Sequence, residues 1–428
     1  MAAATYSTTT SGTTLPKLWK KIQGKLIYGF NVQCEEWNLI QDLKNFEVNF
    51  SAREVTAPLD ISEHGGGASI VEGGYEAVPY TTAPQELTFT WVNENHRFNK
   101  SKLSEYLDKR AGDSQLENQM KYQGKKLLQA LVRRAGNQFY GYSTATVCET
   151  TTTATSASQT MTLNDAYGEA DLDNAAFLAS KWKVGDRVAV QSSIGVLRAN
   201  GIGEITAVTA ATPSIAATMI GSCAVAAGDI LTYANSMENT TIGGGTDYNK
   251  HVAGLLDGAN TTSIHGLSGS TYPFWSAHVS STGGRYSLSH LRAGQYAIQN
   301  NGGGKANLMI VSNGVLTDMT LQQQAVLRYE DAMNMEFDGA TKVKGARIFT
   351  SRKVPNSRVF LLDSKKALKR WSLMPFPDQD GNFPEDAFNV NEDKVQDVSA
   401  VNFSLDLSWA LVWQNRSCLS LSTGLTEA

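Results

Sequence analysis

Only four cysteines occur in the 428 residues, Cys34, Cys148, Cys223 and Cys418, and none stands in a C-x-x-C pair. Their scatter offers neither a disulfide framework nor a zinc-binding set, and it suits assembly in a reducing cytoplasm. No run of about 18 apolar residues is present, so no segment reads as a membrane-spanning helix. The opening residues, MAAATYSTTTSGTT, lack an apolar stretch behind a basic start and do not read as a secretion signal. Net charge is low as well. A formal value of -4 argues against a protein whose whole surface binds nucleic acid, and leaves room for one local basic face.

Catalytic patterns are equally scarce. The six histidines, His64, His96, His251, His265, His278 and His290, form no H-E-x-x-H or H-x-x-x-H pair, which leaves them as surface or packing residues. His64-Gly65-Gly66-Gly67 matches an esterase oxyanion motif, but no G-x-S-x-G elbow follows, and Gly266-Leu267-Ser268-Gly269 has the wrong spacing. Gly302-Gly303-Gly304-Lys305 lacks the Walker glycine and the hydroxyl residue after the lysine, so it reads as a helix stop. Asp378-Gln379-Asp380-Gly381-Asn382 places glycine fourth instead of sixth, which makes it a turn and not a calcium loop. No catalytic, cofactor-binding or metal-binding residue is assigned.

What is present is a serial order of elements. Residues 1–15 read as a polar arm, followed by a basic amphipathic piece over 15–25 with Lys17, Lys20, Lys21 and Lys25. That piece is open between a solvated face and an arm lying on a neighbour or a polyanion. Period-two alternation over 53–61 and 87–92, with a glycine-rich stretch between, predicts a long hairpin that needs a neighbour to cover it. A short helix is expected over 101–110. The capping box Ser114-Gln115-Leu116-Glu117 opens a helix over 114–139, with Leu116, Met120, Leu127, Leu131, Ala135 and Leu128, Val132, Phe139 in rows. Residues 143–236 are Thr/Ser-rich and then break into short strands. There Val184-Gly185-Asp186-Arg187-Val188 is loosely echoed by Ala227-Gly228-Asp229-Ile230-Leu231, which favours a small inserted β-barrel or sandwich. Mixed α/β structure follows: a helix over 287–299, a strand over 307–311, a helix over 318–330, strands over 347–350 and 358–363, and a basic helix over 364–371. A proline-bearing loop (Pro375, Pro377, Pro384) then leads to one long strand or a hairpin over 409–425.

This order resembles the major capsid proteins of tailed bacteriophages, the Hong Kong 97-type fold. Residues 53–61, then Val71-Glu72-Gly73-Gly74 and Pro79-Tyr80, look like that family's E-loop. Val359-Phe360-Leu361-Leu362-Asp363 looks like its late strand ending in Asp, and Asn415-Arg416-Ser417-Cys418 to Gly424-Leu425 like its terminal strand. The resemblance implies an α+β chain with an N-terminal arm (1–43), an E-loop (44–98), a spine helix with peripheral domain (99–142) and a mainly axial domain (237–350). A return through both domains (351–428) completes it, and the β domain at 143–236 is an insertion. It implies a non-enzymatic shell protein of the virion, assembled in the host cytoplasm as hexamers and pentamers, with no cofactor and no membrane. A separate scaffolding protein, a portal, packaged DNA at the inner face and an optional decoration protein are the implied partners. Arg53, Glu54 and Glu72 are its candidate contacts at the E-loop rim, with ordinary solvated strand residues as the other reading. An encapsulin-like nanocompartment shell is the nearest alternative. A surface-layer or adhesin-type β protein is a second, and an esterase using Ser268 a third.

Some members of that family crosslink from an E-loop lysine, yet no lysine lies between Lys44 and Lys100. The resulting expectation is a non-covalent shell: boiled, reduced particles should run as single subunits on a denaturing gel, and a ladder of multimers would overturn it.

Overall fold

The computed structural model describes residues 33–44, 46–49, 54–59, 85–101, 113–172, 174–234, 251–272, 275–326, 342–343, 345–372 and 400–427. The basic piece at 15–25, the stretch at 60–84, the glycines at 243–245 and the proline loop with residues 378–382 lie outside them.

In chain order come strands β1 (Gln41–Asp42), β2 (Glu47–Asn49), β3 (Glu54–Leu59), β4 (Gln85–Thr90) and β5 (Val92–Ser101), then helix α1 (Asp113–Tyr140). Strands β6 (Cys148–Thr150), β7 (Ala154–Asn164), β8 (Arg187–Ser193), β9 (Val196–Thr209), β10 (Ser214–Val225) and β11 (Asp229–Tyr233) follow, with helix α2 (Ala175–Ser180) between β7 and β8. Next are helix α3 (Leu255–Asn260), strands β12 (Ser263–Ile264), β13 (Leu267–Ser268) and β14 (His278–Gly284), helix α4 (Leu288–Gly302), β15 (Leu308–Val311) and helix α5 (Asn313–Val326). The chain ends with β16 (Lys342–Val343), β17 (Ala346–Thr350), β18 (Val359–Leu362), β19 (Leu368–Ser372), β20 (Ala400–Trp413) and β21 (Leu419–Leu425). These form two compact units. One holds described residues up to Ile40, within Val92–Gly254 and up to Trp409 in β20; the other holds those of Gln41–Trp91, Leu255–Trp371 and from Ala410 onward.

In the first unit, six strands close a barrel in the order β10-β7-β6-β11-β8-β9. Closure leaves no unpaired edge for another chain to join. Alternation fills it: Met161, Leu163, Ile202, Ile205, Ile215, Ala217, Met219, Val188, Val190 and Leu231 are buried. The echo seen in the sequence is one corner made twice. Gly185 (φ 87°) and Gly228 (φ 85°) take the left-handed turn that precedes β8 and β11. The carboxylate of Asp186 then accepts from Lys183 N at 2.7 Å, and that of Asp229 from Ala226 N at 2.8 Å. The two strands lie side by side, antiparallel, with Val190 opposite Leu231. Helix α1 buries Leu128, Leu131, Val132, Ala135 and Phe139, the rows that its periodicity picks out. Strand β5 pairs with the start of β20, from Val92↔Trp409 to Ser101↔Ala400.

The second unit centres on a six-stranded sheet, β14-β21-β18-β15-β17-β16. Its middle strands, Leu308–Val311 and Val359–Leu362, are buried at every residue, so they read as continuous apolar runs. Helix α4 lies on the sheet through Leu291, Gly294 and Ile298; a Cβ at Gly294 would come within 2.8 Å of Leu361 and 2.9 Å of Ser420. Gly303, at φ 57°, ends that helix. A separate three-stranded sheet, β2-β3-β4, sets Val55 opposite Phe89 and Ala57 opposite Leu87.

Four expectations need correction. Ser101 ends a strand and does not open a helix, and 102–110 lie outside the described residues. The helix expected over 318–330 is α5, which begins at Asn313; Ser312 Oγ accepts from Val315 N at 3.4 Å, a start that apolar spacing does not reveal. The basic stretch at 364–371 is a turn and then a strand: Lys366 N and Ala367 N both donate to Asp363 O, and Lys369 and Arg370 pair with Gln41 and Asp42 of β1. Strand pairing overrides the helix propensity of Lys365-Lys366-Ala367-Leu368-Lys369. Residues 409–425 are neither one strand nor a hairpin. The 3-10 turn Arg416–Cys418, capped by Asn415, separates β20 and β21, which belong to different sheets.

Gly258 in α3 lies directly beneath the ring of Trp413. Gly258→Ala gains about 1 kcal/mol of helix propensity and forces an overpacked contact costing typically 1–3 kcal/mol or more against a rigid indole. The clash should win, so the denaturant midpoint should fall; a raised midpoint would show that Trp413 can step aside.

Candidate assembly interface

Of the three charged residues proposed for intersubunit contact, Glu54 opens β3, half-buried, between Asn49 of β2 and Thr90 of β4. Arg53 and Glu72 lie outside the described residues, so the structure does not bring the three together. The strands around Glu54 have two unlike faces. Val55, Ala57, Leu87 and Phe89 are buried, whereas Thr56 and Thr88 are half-buried and Glu86 and Thr90 exposed. An aromatic cluster clamps the buried face: Phe89 is 5.6 Å from His265 and 6.3 Å from Trp371, and Trp91 and Phe46 lie 5.3 and 6.2 Å from Trp371. His265 sits in the two-residue turn His265-Gly266, both at positive φ, between β12 and β13. Its Nε2 accepts from Trp413 N at 3.2 Å, and burial holds its pKa down at about 4, so the ring is neutral at physiological pH.

In the first unit the polar chemistry is internal. Arg133 reaches Asp186 at 2.6 Å. Arg134 stands 3.8 Å from Glu94 and 4.9 Å over the ring of Tyr233. Asn137 donates to Tyr233 Oη at 2.9 Å, and its carbonyl accepts from Tyr167 Oη at 3.2 Å. Gln138 Nε2 donates to Glu94 Oε1. These bonds tie α1 to β5 and to the corners of the barrel. Burial raises the pKa of Glu94, offset by Arg134 and the Gln138 bond. Burial, then Arg134 and Arg133, push His96 down to about 3. His96 is therefore uncharged beside Glu94, and their 3.7 Å approach is no ion pair.

Lys181, at the end of α2, is 1% exposed. Its Nζ lies 3.8 Å from the ring centre of Tyr167 and 4.1 Å from that of Phe177, and it has no hydrogen-bond partner among the described residues. Its carbonyl accepts from Tyr233 Oη, and neighbouring Trp182 donates to Cys148 Sγ at 3.3 Å. Sequence reading missed these residues, since a lysine ordinarily reads as surface; the one legible signal was the Gly-Asp echo that places Asp186 and Asp229.

Ser268 Oγ meets Ser270 Oγ at 2.8 Å and accepts from Ser270 N at 3.3 Å. Gly303 is a helix terminus, as read from the sequence. All four cysteines are buried free thiols. Among the described residues no group of three or more His, Cys, Asp and Glu side chains could hold a metal ion, and no helix is long and apolar enough to cross a membrane.

No family model and no curated protein matches the chain. Solved structures do. The chain resembles the capsid asymmetric-unit protein of Cyanophage A-1(L) with 12% identity, covering 91% of both chains at a TM-score of 0.52. A chain of Gordonia phage Cozz matches at 9% identity over 91% of this chain and 86% of its own, TM-score 0.43. The capsid of an empty GTA particle matches at 11% over 91% and 89%, TM-score 0.43. The first likeness carries the fold: a mixed helix-and-sheet chain with the fold of a phage capsid protein.

Burial depresses the pKa of Lys181 to about 7, while the two ring faces offset part of that cost. A folded pKa below the unfolded value of about 10.4 penalises folding fully below pH 7 and releases the penalty as pH rises towards 10. Cys148, pushed up to about 12, acts oppositely above about pH 8.5 and is common to both proteins compared. Lys181→Met should therefore be more stable than the parent at pH 7, by about 1–4 kcal/mol, with the gap closing by pH 10. A variant less stable at pH 7 would mean that the caged cation is itself a net stabiliser.

Proposed function

We propose that this chain is the major capsid protein of a tailed double-stranded DNA bacteriophage, building the icosahedral shell that encloses the genome. The observation that carries the reading is the likeness in fold to the Cyanophage A-1(L) capsid protein across 91% of both chains. The serial order of elements supports it, and the same likeness in fold favours a structural, non-enzymatic role.

On this reading the ribbon of β3 and β4 is the root of the E-loop, extending through 60–84 over an adjacent subunit, with Arg53, Glu54 and Glu72 along its rim. Helix α1, with 28 residues and so about 42 Å long at 1.5 Å per residue, is the spine. The six-stranded sheet with α4 and α5 belongs to the axial part, whose copies meet in rings of five and six. The barrel is the inserted domain, and the arm at 1–43 reaches a further neighbour. Many modest interfaces repeated by symmetry then close the shell, so stability comes from number. The shell forms in the host cytoplasm around a separate scaffolding protein, takes in DNA through a portal, and ends as the virion capsid, with a decoration protein as an optional addition.

Negative-stain electron microscopy of the chain, alone and co-expressed with a candidate scaffolding protein, tests this. Closed shells, tubes, or free rings of five and six are expected. A persistent monomer under both conditions would overturn the reading, and closed shells loaded with a protein cargo instead of DNA in the native host would turn it into a nanocompartment.

A further inference from the structure

We infer that the cationic end of the six-stranded sheet, where Lys44, Lys305, Arg347 and Lys365 stand together, is a contact for the phosphate backbone of nucleic acid. The inference rests on the capsid reading, and it names where on this chain a packaged genome would be touched. Between Asp338 and Asp378 the chain carries ten lysines and arginines and one acid, Asp363, although its formal net charge is -4. Sheet topology gathers part of this run at one end. Leu308 of β15 has Arg347 of β17 on one side and Leu362 of β18 on the other. Lys305 precedes that level in the chain, and Lys365 and Lys366 follow from it. Arg352 and Arg358 belong to the opposite end of the same strands.

Two acids at this end are already engaged. Asp363 is buried, and its two oxygens accept from Lys305 N at 2.9 Å and from Lys365 N at 3.0 Å, which holds both lysines at one carboxylate. Asp42 pairs with Arg370, its neighbour across β1 and β19. Glu47, three residues beyond Lys44, is exposed on β2. Two cations are also spent within the fold: Lys366 donates to Gly303 O and Lys369 to Gln41 Oε1, both at 2.8 Å. Lys44, Lys305, Arg347 and Lys365 are exposed, and their side chains have no hydrogen-bond or ion-pair partner among the described residues. Lys369 registers the crowding. Burial lowers its pKa, Asp363 works against that, and Lys44 and Lys365 lower it further. Lysine is a point-charge donor with no planar fork for reading a base, so a face built mainly of lysine grips phosphates without choosing sequence. A genome container requires that property. An acidic protein segment would also be drawn to this charge, but a protein interface needs a desolvated apolar centre. Phe46 is the one exposed large apolar side chain on these segments among the described residues. Four cations bind weakly alone, and the many copies of a shell multiply the contact.

The test is the quadruple variant Lys44→Gln, Lys305→Gln, Arg347→Gln and Lys365→Gln, which spares the lysines bonded inside the fold. Parent and variant are compared for particle formation by microscopy. Their unassembled subunits are compared for binding to a fluorescent duplex of about 30 base pairs between about 50 and 200 mM salt. The variant should form the same particles and bind the duplex at least about tenfold more weakly at the lowest salt. Its slope of log affinity against log salt should be shallower by about 3–4, near 0.9 per lost phosphate contact. The smaller variant Lys305→Gln with Lys365→Gln should show about half that change in slope, which keeps the test open if the quadruple variant does not fold. Unchanged affinity and slope would overturn the surface assignment while leaving the capsid reading intact. An equal loss on removing charge from α1 instead, with Lys125→Gln and Lys126→Gln, would overturn it too. A variant that keeps the parent's denaturant midpoint but forms no particles would overturn it in favour of a contact between copies. Polyglutamate that displaces the labelled duplex better than unlabelled duplex at equal charge would overturn it in favour of an acidic protein partner. A parent that forms no particles overturns the capsid reading separately, since the duplex assay needs none.

Discussion

The first unit depends on one constraint: the last three turns of α1 have no face left for water. From Leu131 to Gly141 every residue is buried except the half-buried Arg133 and Arg134. A helix closed in on all sides must match each polar group it carries, because an unpaired one costs about 1–3 kcal/mol. The chain answers part of this demand from three directions, while Arg133 Nε and Nη1, Arg134 Nε and Gln138 Oε1 have no hydrogen-bond partner among the described residues. Asp186 and Tyr233 come from the barrel, Glu94 from β5, and Tyr167 reaches back from the turn after β7. Backbone fit follows the same rule: a Cβ at Gly141 would come within 2.9 Å of the Tyr167 ring, and one at Gly254 within 2.5 Å of the Gln138 and Gly141 carbonyls. Barrel and helix are thus one body with a shared interior.

That shared interior explains why the barrel is built as it is. Its two Gly-Asp corners spend one carboxylate oxygen on closing their own turns, leaving the other to bind an arginine: Arg133 for Asp186, Arg198 for Asp229 at 2.7 Å. At Asp229 the turn-closing oxygen is shared, because Arg198 Nε also donates to it at 3.0 Å, and the resulting bidentate pair fixes direction as well as distance. At Asp186 the same short motif therefore makes a turn and docks α1, whereas at Asp229 it makes a turn and ties two strands of the barrel together. In the second unit small residues and aromatics do the corresponding work. Gly258 admits Trp413, Gly294 admits the sheet, and Arg416 caps the end of α3 through the carbonyls of Gly258, Thr261 and Thr262.

The parts legible in the sequence are those whose cause is local. The rows of α1 follow from helical period, the stop of α4 from a glycine that takes a left-handed conformation, and the central strands β15 and β18 from unbroken apolar runs. What escaped has a distant cause. Residues 365–369 favour a helix until β1, more than three hundred positions earlier in the chain, supplies a pairing partner for Lys369 and Arg370. Lys181 looks like a surface lysine until Tyr167 and Phe177 close over it. The candidate interface was the least legible part. Of Arg53, Glu54 and Glu72, only Glu54 falls on described residues, as an ordinary half-buried strand residue. An interface residue is defined by what another chain brings to it, and period and spacing within one chain carry no record of that.

Buried ions and directional hydrogen bonds are a poor way to gain stability, since apolar residues of equal volume would often hold as well or better. They do restrict arrangement. Apolar packing tolerates small slides between elements, whereas Arg133 against Asp186 or Gln138 against Glu94 is satisfied in one register. For a subunit that must meet identical neighbours many times in one closed object, a small angular error within each copy accumulates around the ring. Rigidity inside the unit then matters more than added stability, because symmetry supplies stability by repetition. On this view the interior polar lattice of the first unit and the proposed role in a shell answer one requirement.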